Sequence, residues 1–126
     1  MKRTHHLYYL LLTLLFLTGC NDPKHVTDAL TRAEALMNEY PDSAWTVLNA
    51  ISPDEMGQNR TRARYALLYS QALDKNYIDV TSDSLFSVAL EYYKDKDDVR
   101  SKFLSYYYMG RVHANGERYA KAVLSF

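Results

Sequence analysis

The sequence is poor in the residues that break or cross-link a chain, with one cysteine, three prolines and four glycines among 126 residues. One cysteine cannot form an internal disulfide, so a disulfide-stabilised scaffold is excluded. The scarcity of proline and glycine disfavours turn-rich sandwiches and favours helices. Neither charge sign is in excess, with 15 basic and 15 acidic residues, which excludes a generally basic nucleic-acid binder. The 48% of hydrophobic residues is typical of one folded globular domain.

The apolar run near the N-terminus is too short to cross a membrane. It extends over 12 residues from Leu7 to Thr18, whereas a membrane-spanning helix needs about 20. Because the run follows Lys2 and Arg3, it has the length and the basic start of a secretory signal peptide. We therefore predict that residues 1–19 are a signal peptide.

The single cysteine directly follows this segment. The sequence Leu17-Thr18-Gly19-Cys20 resembles the lipobox of bacterial lipoproteins. The resemblance implies that lipoprotein signal peptidase cuts before Cys20 and that the Cys20 thiol carries a diacylglyceryl group. Two buried lipid chains anchor a protein stably, so we expect a lipid-anchored protein of the cell envelope. The mature chain, residues 20–126, keeps 13 basic and 15 acidic residues, and this balance leaves open which membrane and which face hold it.

Six segments beyond a short tether at residues 20–25 have apolar or small residues at the i, i+3, i+4, i+7 spacing of an amphipathic helix. The expected core stripes are, in chain order, Ala29, Arg32, Ala33 and Leu36; Ala44, Val47, Leu48 and Ile51; Ala66, Tyr69, Ser70 and Leu73; Leu85, Val88, Ala89 and Tyr92; Tyr106, Met109, Gly110 and His113; and Tyr119, Ala122, Val123 and Phe126. Pro41 suits the first turn of the second helix, and Gly116 is expected as the residue that ends the fifth. The sequence therefore predicts an all-α fold.

The helices pair into three predicted hairpins, over about residues 26–52, 60–95 and 98–126. Small residues recur on the first helix of each hairpin at Ala33, Ser70 and Gly110, and on the second at Ala44, Ser82 and Ala122. A spacing near 40 residues in a helical chain is typical of an α-solenoid.

The last hairpin resembles the tetratricopeptide repeat over Phe103 to Phe126. The residues that carry the resemblance are Tyr106, Met109, Gly110, His113, Tyr119, Ala122 and Phe126. Together with the lipobox, the chain resembles tetratricopeptide-repeat lipoproteins of Gram-negative bacteria. Because the pattern reaches only about two thirds of a 34-residue repeat, we expect the chain to be an incomplete piece of a longer protein.

The resemblance implies a concave groove lined by the first helix of each hairpin. The expected groove residues are Arg64, Leu67, Gln71 and Asp74 in the middle hairpin and Leu104, Tyr107, Arg111 and Asn115 in the last. Such a mixture of amide, acidic, arginine and tyrosine side chains suits a peptide or protein partner. Successive residues of a helix point about 100° apart, so among Tyr106, Tyr107 and Tyr108 we expect only Tyr106 on the core stripe.

No motif of the sequence indicates catalysis, a metal or a cofactor. The acidic run Asp95–Asp98 lacks the glycine and glutamate of a calcium loop. His25 and His113 have no nearby ligand cluster for zinc. We therefore predict a non-enzymatic protein without cofactors and without a nucleic-acid partner. Two alternatives stay open: a glycan-binding lipoprotein whose tyrosines stack on sugar rings, and the N-terminal sensor region of a larger envelope protein with its activity beyond residue 126.

Overall fold

The computed structural model describes Tyr9 and residues 21–126, and from residue 21 onward it contains six α-helices, one short 3-10 helix (Pro53–Glu55) and no strand. The helices are α1 (Lys24–Leu36), α2 (Pro41–Asn49), α3 (Asn59–Lys75), α4 (Ser84–Tyr93), α5 (Val99–Asn115) and α6 (Tyr119–Ser125). The predicted all-α class is confirmed over these residues. The predicted signal peptide and the lipobox with Cys20 lie outside the described residues.

The starts of the helices follow from local sequence. Pro41 is the first residue of α2 and Asp42 lies in its first turn, because proline needs no hydrogen-bond acceptor there and an acidic group favours the positive end of the helix. Asp98 precedes α5 and accepts a hydrogen bond from the Ser101 backbone N–H at 3.0 Å. Ser82 was expected on the second helix of the middle hairpin; instead it lies exposed before α4, which begins at Ser84.

Two helices end in the same way, and neither has glycine at the left-handed position. Tyr77 after α3 and Glu117 after α5 both have φ of 57°. The hydrogen bonds that close these ends join Tyr77 N–H to Asp74 O, Ile78 N–H to Leu73 O, Glu117 N–H to Ala114 O and Arg118 N–H to His113 O. Gly116 directly follows α5 as its C-cap, as predicted, but its φ of −84° is not left-handed. The left-handed residue comes one position later, at Glu117.

Neighbouring helices along the chain pack together, and α3 lies at the centre of the arrangement. It contacts α1, α2, α4 and α5, and α5 packs against α6. One core cluster joins α1 and α2 to Leu68 and Ala72 of α3. A second cluster joins α4 and α5 to Ala63 and Ala66 on another side of α3. Because α3 buries two faces, a single predicted stripe describes it only in part.

The buried stripes of α1 and α4 differ from the predicted ones by a rotation about the helix axis. Helix α1 with the residue after it buries Val26, Leu30, Ala33 and Met37, and helix α4 buries Phe86, Ala89 and Tyr93. Helix α5 buries three of its four predicted residues, Met109, Gly110 and His113, and also Ser105, Tyr108 and Val112. The prediction for Tyr106 is wrong, because its side chain is 39% exposed whereas Tyr108 is buried. Arg32, a charged residue in the predicted stripe, lies exposed. In α6 only Ala122 is buried, and the main packing partner of this helix among the described helices is α5.

The residues predicted as a tether are held against the helices. The Asp22 Oδ1 atom accepts the Gly57 N–H at 2.6 Å and the Gln58 N–H at 3.1 Å, immediately before α3. The Thr61 hydroxyl, followed by these backbone N–H groups, lowers the pKa of Asp22, so the carboxylate is favoured in the folded chain. Since α1 begins at Lys24, the last two residues of the predicted tether are helical.

Candidate binding cavity

Helices α1, α3 and α5, the first helices of the three predicted hairpins, border a cavity of about 220 Å³. The lining residues are Glu34, Met37 and Asn38 from α1 and its end; Arg60, Arg64, Leu67, Leu68 and Gln71 from α3; Tyr93 from the end of α4; and Asp98, Arg100, Ser101 and Leu104 from the start of α5. The cavity therefore has apolar residues beside three arginines, two carboxylates and two amides.

An ion pair closes one side of the cavity. The Arg64 Nη2 atom donates to Glu34 Oε2 at 2.7 Å and to Thr31 Oγ1 at 3.3 Å. The pair links α3 to α1, and both side chains are partly exposed, which limits its contribution to stability. The charges of Arg64 and Glu34 thus compensate each other.

Asp98, which has the second carboxylate of the cavity, is also hydrogen-bonded within the fold. The Ser101 backbone N–H and then its hydroxyl are the largest causes that lower the pKa of Asp98, and the charge of Arg100 acts in the same direction. The carboxylate is therefore ionised at neutral pH and serves as the N-cap of α5. Three arginines against two carboxylates give the cavity wall a net charge of +1.

Four polar side chains of the cavity, those of Asn38, Arg60, Gln71 and Arg100, make no hydrogen bond to another described residue. Arg60 and Arg100 are exposed, and neither guanidinium group forms an ion pair with another described residue, although the charge of Arg100 acts on Asp98. Gln71 as a residue is only 8% exposed, and its amide makes no hydrogen bond to another described residue, yet the amide atoms are not among the fully enclosed polar atoms that lack a partner. The amide therefore still reaches the solvent of the cavity, and Gln71 forms its polar floor.

The structure divides the eight expected groove residues among three places. Arg64, Leu67, Gln71 and Leu104 line the cavity, with Leu67 and Gln71 buried. Arg111 pairs with Asp74 at 2.9 Å, and the Asn115 Nδ2 atom donates to Val80 O at 3.4 Å. Tyr107 packs elsewhere, with its ring 6.3 Å from that of Phe103 and 6.0 Å from that of Phe126.

Sequence reasoning missed the two unpaired arginines. Arg60 lies one helical turn before Arg64 on α3, and this spacing places both on one face of the helix. The position of the expected groove residue Arg64 could therefore have indicated Arg60 as well. Arg100 lies in the first turn of α5, and nothing in the local pattern relates it to α3. Their proximity to one cavity depends on the packing of α3 against α5.

Comparison of the chain with models of known protein families, with curated proteins and with solved structures finds no match. Within the described residues no helix has the length and apolar character needed to cross a membrane. The same part of the chain holds no group of three or more His, Cys, Asp or Glu side chains placed to bind a metal ion.

Proposed function

We propose that this protein is a lipid-anchored helical-repeat scaffold of the cell envelope that binds a peptide or protein partner. The sequence supports the anchor through the lipobox-like run that ends at Cys20. The spacing of the small residues on the first helices, Ala33, Ser70 and Gly110, supports the repeat, as does the distance of 40 positions between the left-handed residues Tyr77 and Glu117. A scaffold of stacked helical pairs offers a continuous face for a ligand.

The cavity bordered by α1, α3 and α5 is the single observation that carries the proposed binding role. It brings residues from three separate segments to one place and leaves Arg60, Arg100 and Gln71 without hydrogen-bond partners among the described residues. Polar groups that converge beside apolar walls are typical of ligand sites. A bound segment would give these groups the hydrogen bonds that the fold does not supply.

Site-specific photo-cross-linking in the native bacterium tests the binding role. A photoreactive residue at Leu104 lies on the cavity wall, and one at Val88 on the exposed side of α4 is the matched control. We expect a discrete adduct from Leu104 that is absent from Val88. Identical adducts from both positions, or none from Leu104, would contradict the proposal.

Metabolic labelling with an alkyne analogue of palmitate tests the anchor. The wild-type chain should take up the label and fractionate with membranes, whereas Cys20→Ser, which removes the chain's only thiol, should do neither and should keep its signal peptide. Label that persists in Cys20→Ser would contradict the proposed lipid anchor at Cys20. It would not bear on the binding role proposed for the cavity.

A further inference from the structure

We propose that the cavity bordered by α1, α3 and α5 is a pocket for one acidic side chain of a bound peptide, with its carboxylate at Arg60 and Arg100 and an adjoining peptide group at the Gln71 amide. The inference rests on the proposed function and deepens it by naming the chemistry of the ligand.

The charge of the cavity favours a carboxylate. Glu34 is already paired with Arg64 at 2.7 Å, and Asp98 already accepts the Ser101 N–H. The remaining cations, Arg60 and Arg100, have no hydrogen-bonded acceptor among the described residues; the charge of Arg100 acts on Asp98, and one positive charge of the wall is left without a counter-charge. A guanidinium group presents a planar set of N–H donors that matches the two oxygens of a carboxylate, so the free charge of the wall selects an acidic group over a neutral or basic one.

The Gln71 amide favours a peptide group beside that carboxylate. A glutamine side chain offers two N–H donors and one oxygen acceptor, and a peptide group offers one complementary N–H and one complementary carbonyl. A simple carboxylate has no N–H and leaves the Gln71 oxygen without a donor. The Gln71 amide, whose polar atoms reach the cavity although the residue is buried to more than nine tenths, is therefore matched by a peptide group more fully than by a bare anion.

The size of the cavity limits what enters it. A volume of about 220 Å³ is below the roughly 300–1,000 Å³ of sites for drug-sized ligands. It suits one side chain with its peptide group, while Leu68 and Leu104 provide apolar contacts for the methylene groups. The rest of a bound segment would lie outside, along α1, α3 and α5.

Solution NMR of the full chain in detergent micelles tests the pocket with small probes. N-acetyl-glutamate N-methylamide carries the carboxylate and the peptide groups, the glutamine analogue lacks the charge, and acetate lacks the peptide groups. We expect the glutamate probe to shift the Gln71 side-chain and Arg100 backbone resonances. It should bind roughly tenfold or more tightly than either of the other probes, the loss expected for a charge-assisted contact.

Variants separate the two parts of the pocket. The double variant Arg60→Gln/Arg100→Gln should lose the preference for glutamate over glutamine. Gln71→Leu should weaken the glutamate probe and leave acetate unchanged. The control Arg32→Gln removes an exposed arginine on α1 that does not line the cavity, and it should keep the affinity of the wild type.

Equal binding of the glutamate and glutamine probes, resonance shifts at other residues, or no shift at all would overturn the pocket. If a partner still cross-links at Leu104 in that case, the proposed function stands and only the ligand chemistry is wrong. If the probes bind selectively by charge but no partner cross-links, the pocket does bind a carboxylate beside an amide. The ligand would then be a small acidic amide, and the proposal of a peptide ligand would be wrong.

Discussion

Arg111 on α5 donates from Nε to the Asp74 Oδ1 atom on α3 at 2.9 Å, across 37 positions of sequence. Their side chains are 45% and 25% exposed, so the pair lies at the rim of the contact between the two helices. Tyr108 is buried beside it, and burial is the main reason why its pKa is raised to about 12. Asp74 acts in the same direction and Arg111 in the opposite one. The ion pair therefore ties α3 to α5 and sets part of the electrostatic environment of the core.

A double-mutant cycle on this pair should give a small favourable coupling. We expect Asp74→Ala and Arg111→Ala to couple by about 0.2–1 kcal/mol, because partly exposed ion pairs are screened by water. The coupling should shrink as salt is added. Urea unfolding of the wild type, both single variants and the double variant measures it. The more exposed pair of Lys24 and Asp28 is the control and should couple less. A coupling of zero between Asp74 and Arg111 would show that their contact does not contribute to the free energy of unfolding.

The number and order of the helices are predictable from the sequence because they depend on local signals. Pro41 begins α2 and Asp98 caps α5, the positions that these residue types favour. The rotation of α1 is less well defined by the same pattern. A stripe that begins at Ala29 must include Arg32, whereas the observed stripe begins at Val26 and contains no charged residue. A test for charge inside each candidate stripe would have selected the observed rotation.

The width of the buried face of α5 and the composition of the cavity depend on tertiary packing. The stripe from Ser105 fits the i, i+3, i+4, i+7 spacing as well as the stripe from Tyr106 does, and α5, which contacts α3, α4 and α6, buries all of the first and all of the second except Tyr106. Arg60 and Arg100 come to one cavity for the same reason. The periodicity of one helix says nothing about the distance to a residue on another helix.

The close contact of Gly110 with Phe126 should reduce the gain from an alanine substitution. A Cβ atom at Gly110 would lie 2.5 Å from the Cε1 atom of Phe126, so the Phe126 ring, which is 69% exposed, would have to move away from its place beside Tyr107. We expect Gly110→Ala to change the stability of the wild type little, since the lost ring packing offsets the gain in helix propensity. In a Phe126→Ala background the same change should stabilise by up to about 1 kcal/mol, because only the propensity gain remains. Thermal melts of the four proteins provide the test, and equal effects in both backgrounds would contradict this packing.

The left-handed backbone at Tyr77 should make glycine more stable than the native residue. Its φ is 57° and its side chain is 94% exposed, so a substitution removes backbone strain and almost no packing. We expect Tyr77→Gly to stabilise by about 0.5–1 kcal/mol, the cost of this conformation reduced by the greater freedom of glycine in the unfolded chain. Tyr77→Ala keeps the strain and is the control, with little change expected. Urea unfolding should also show a gain for Glu117→Gly; glycine no better than alanine at position 77 would argue against the conformation.

His113 should make the folded chain sensitive to mild acid. Its Nδ1 atom accepts a hydrogen bond from Arg118 Nε at 3.1 Å, which requires the neutral ring, and Arg118 also donates to the Thr81 carbonyl at 2.8 Å. Burial is the main cause that lowers the pKa of His113, Arg118 and Lys121 add to it, and Asp83 acts against it. Protonation would thus remove a contact that joins α5, the start of α6 and the segment before α4.

The direction of the pH effect follows from the lowered pKa. The folded chain binds this proton less readily than the unfolded chain, in which histidine titrates near 6.5, so the contribution to stability is complete above about pH 6.5 and is lost as the pH falls through the folded-state pKa. One proton gives a slope of at most about 1.4 kcal/mol per pH unit. Urea unfolding between about pH 7 and pH 5 should show this loss in the wild type, and His113→Gln, which keeps an acceptor but does not titrate, should reduce it. Arg118→Gln should raise the pKa of His113 in an NMR titration, because a positive charge beside the ring is removed. If His113→Gln loses stability as steeply as the wild type over this range, another group is responsible for the acid sensitivity.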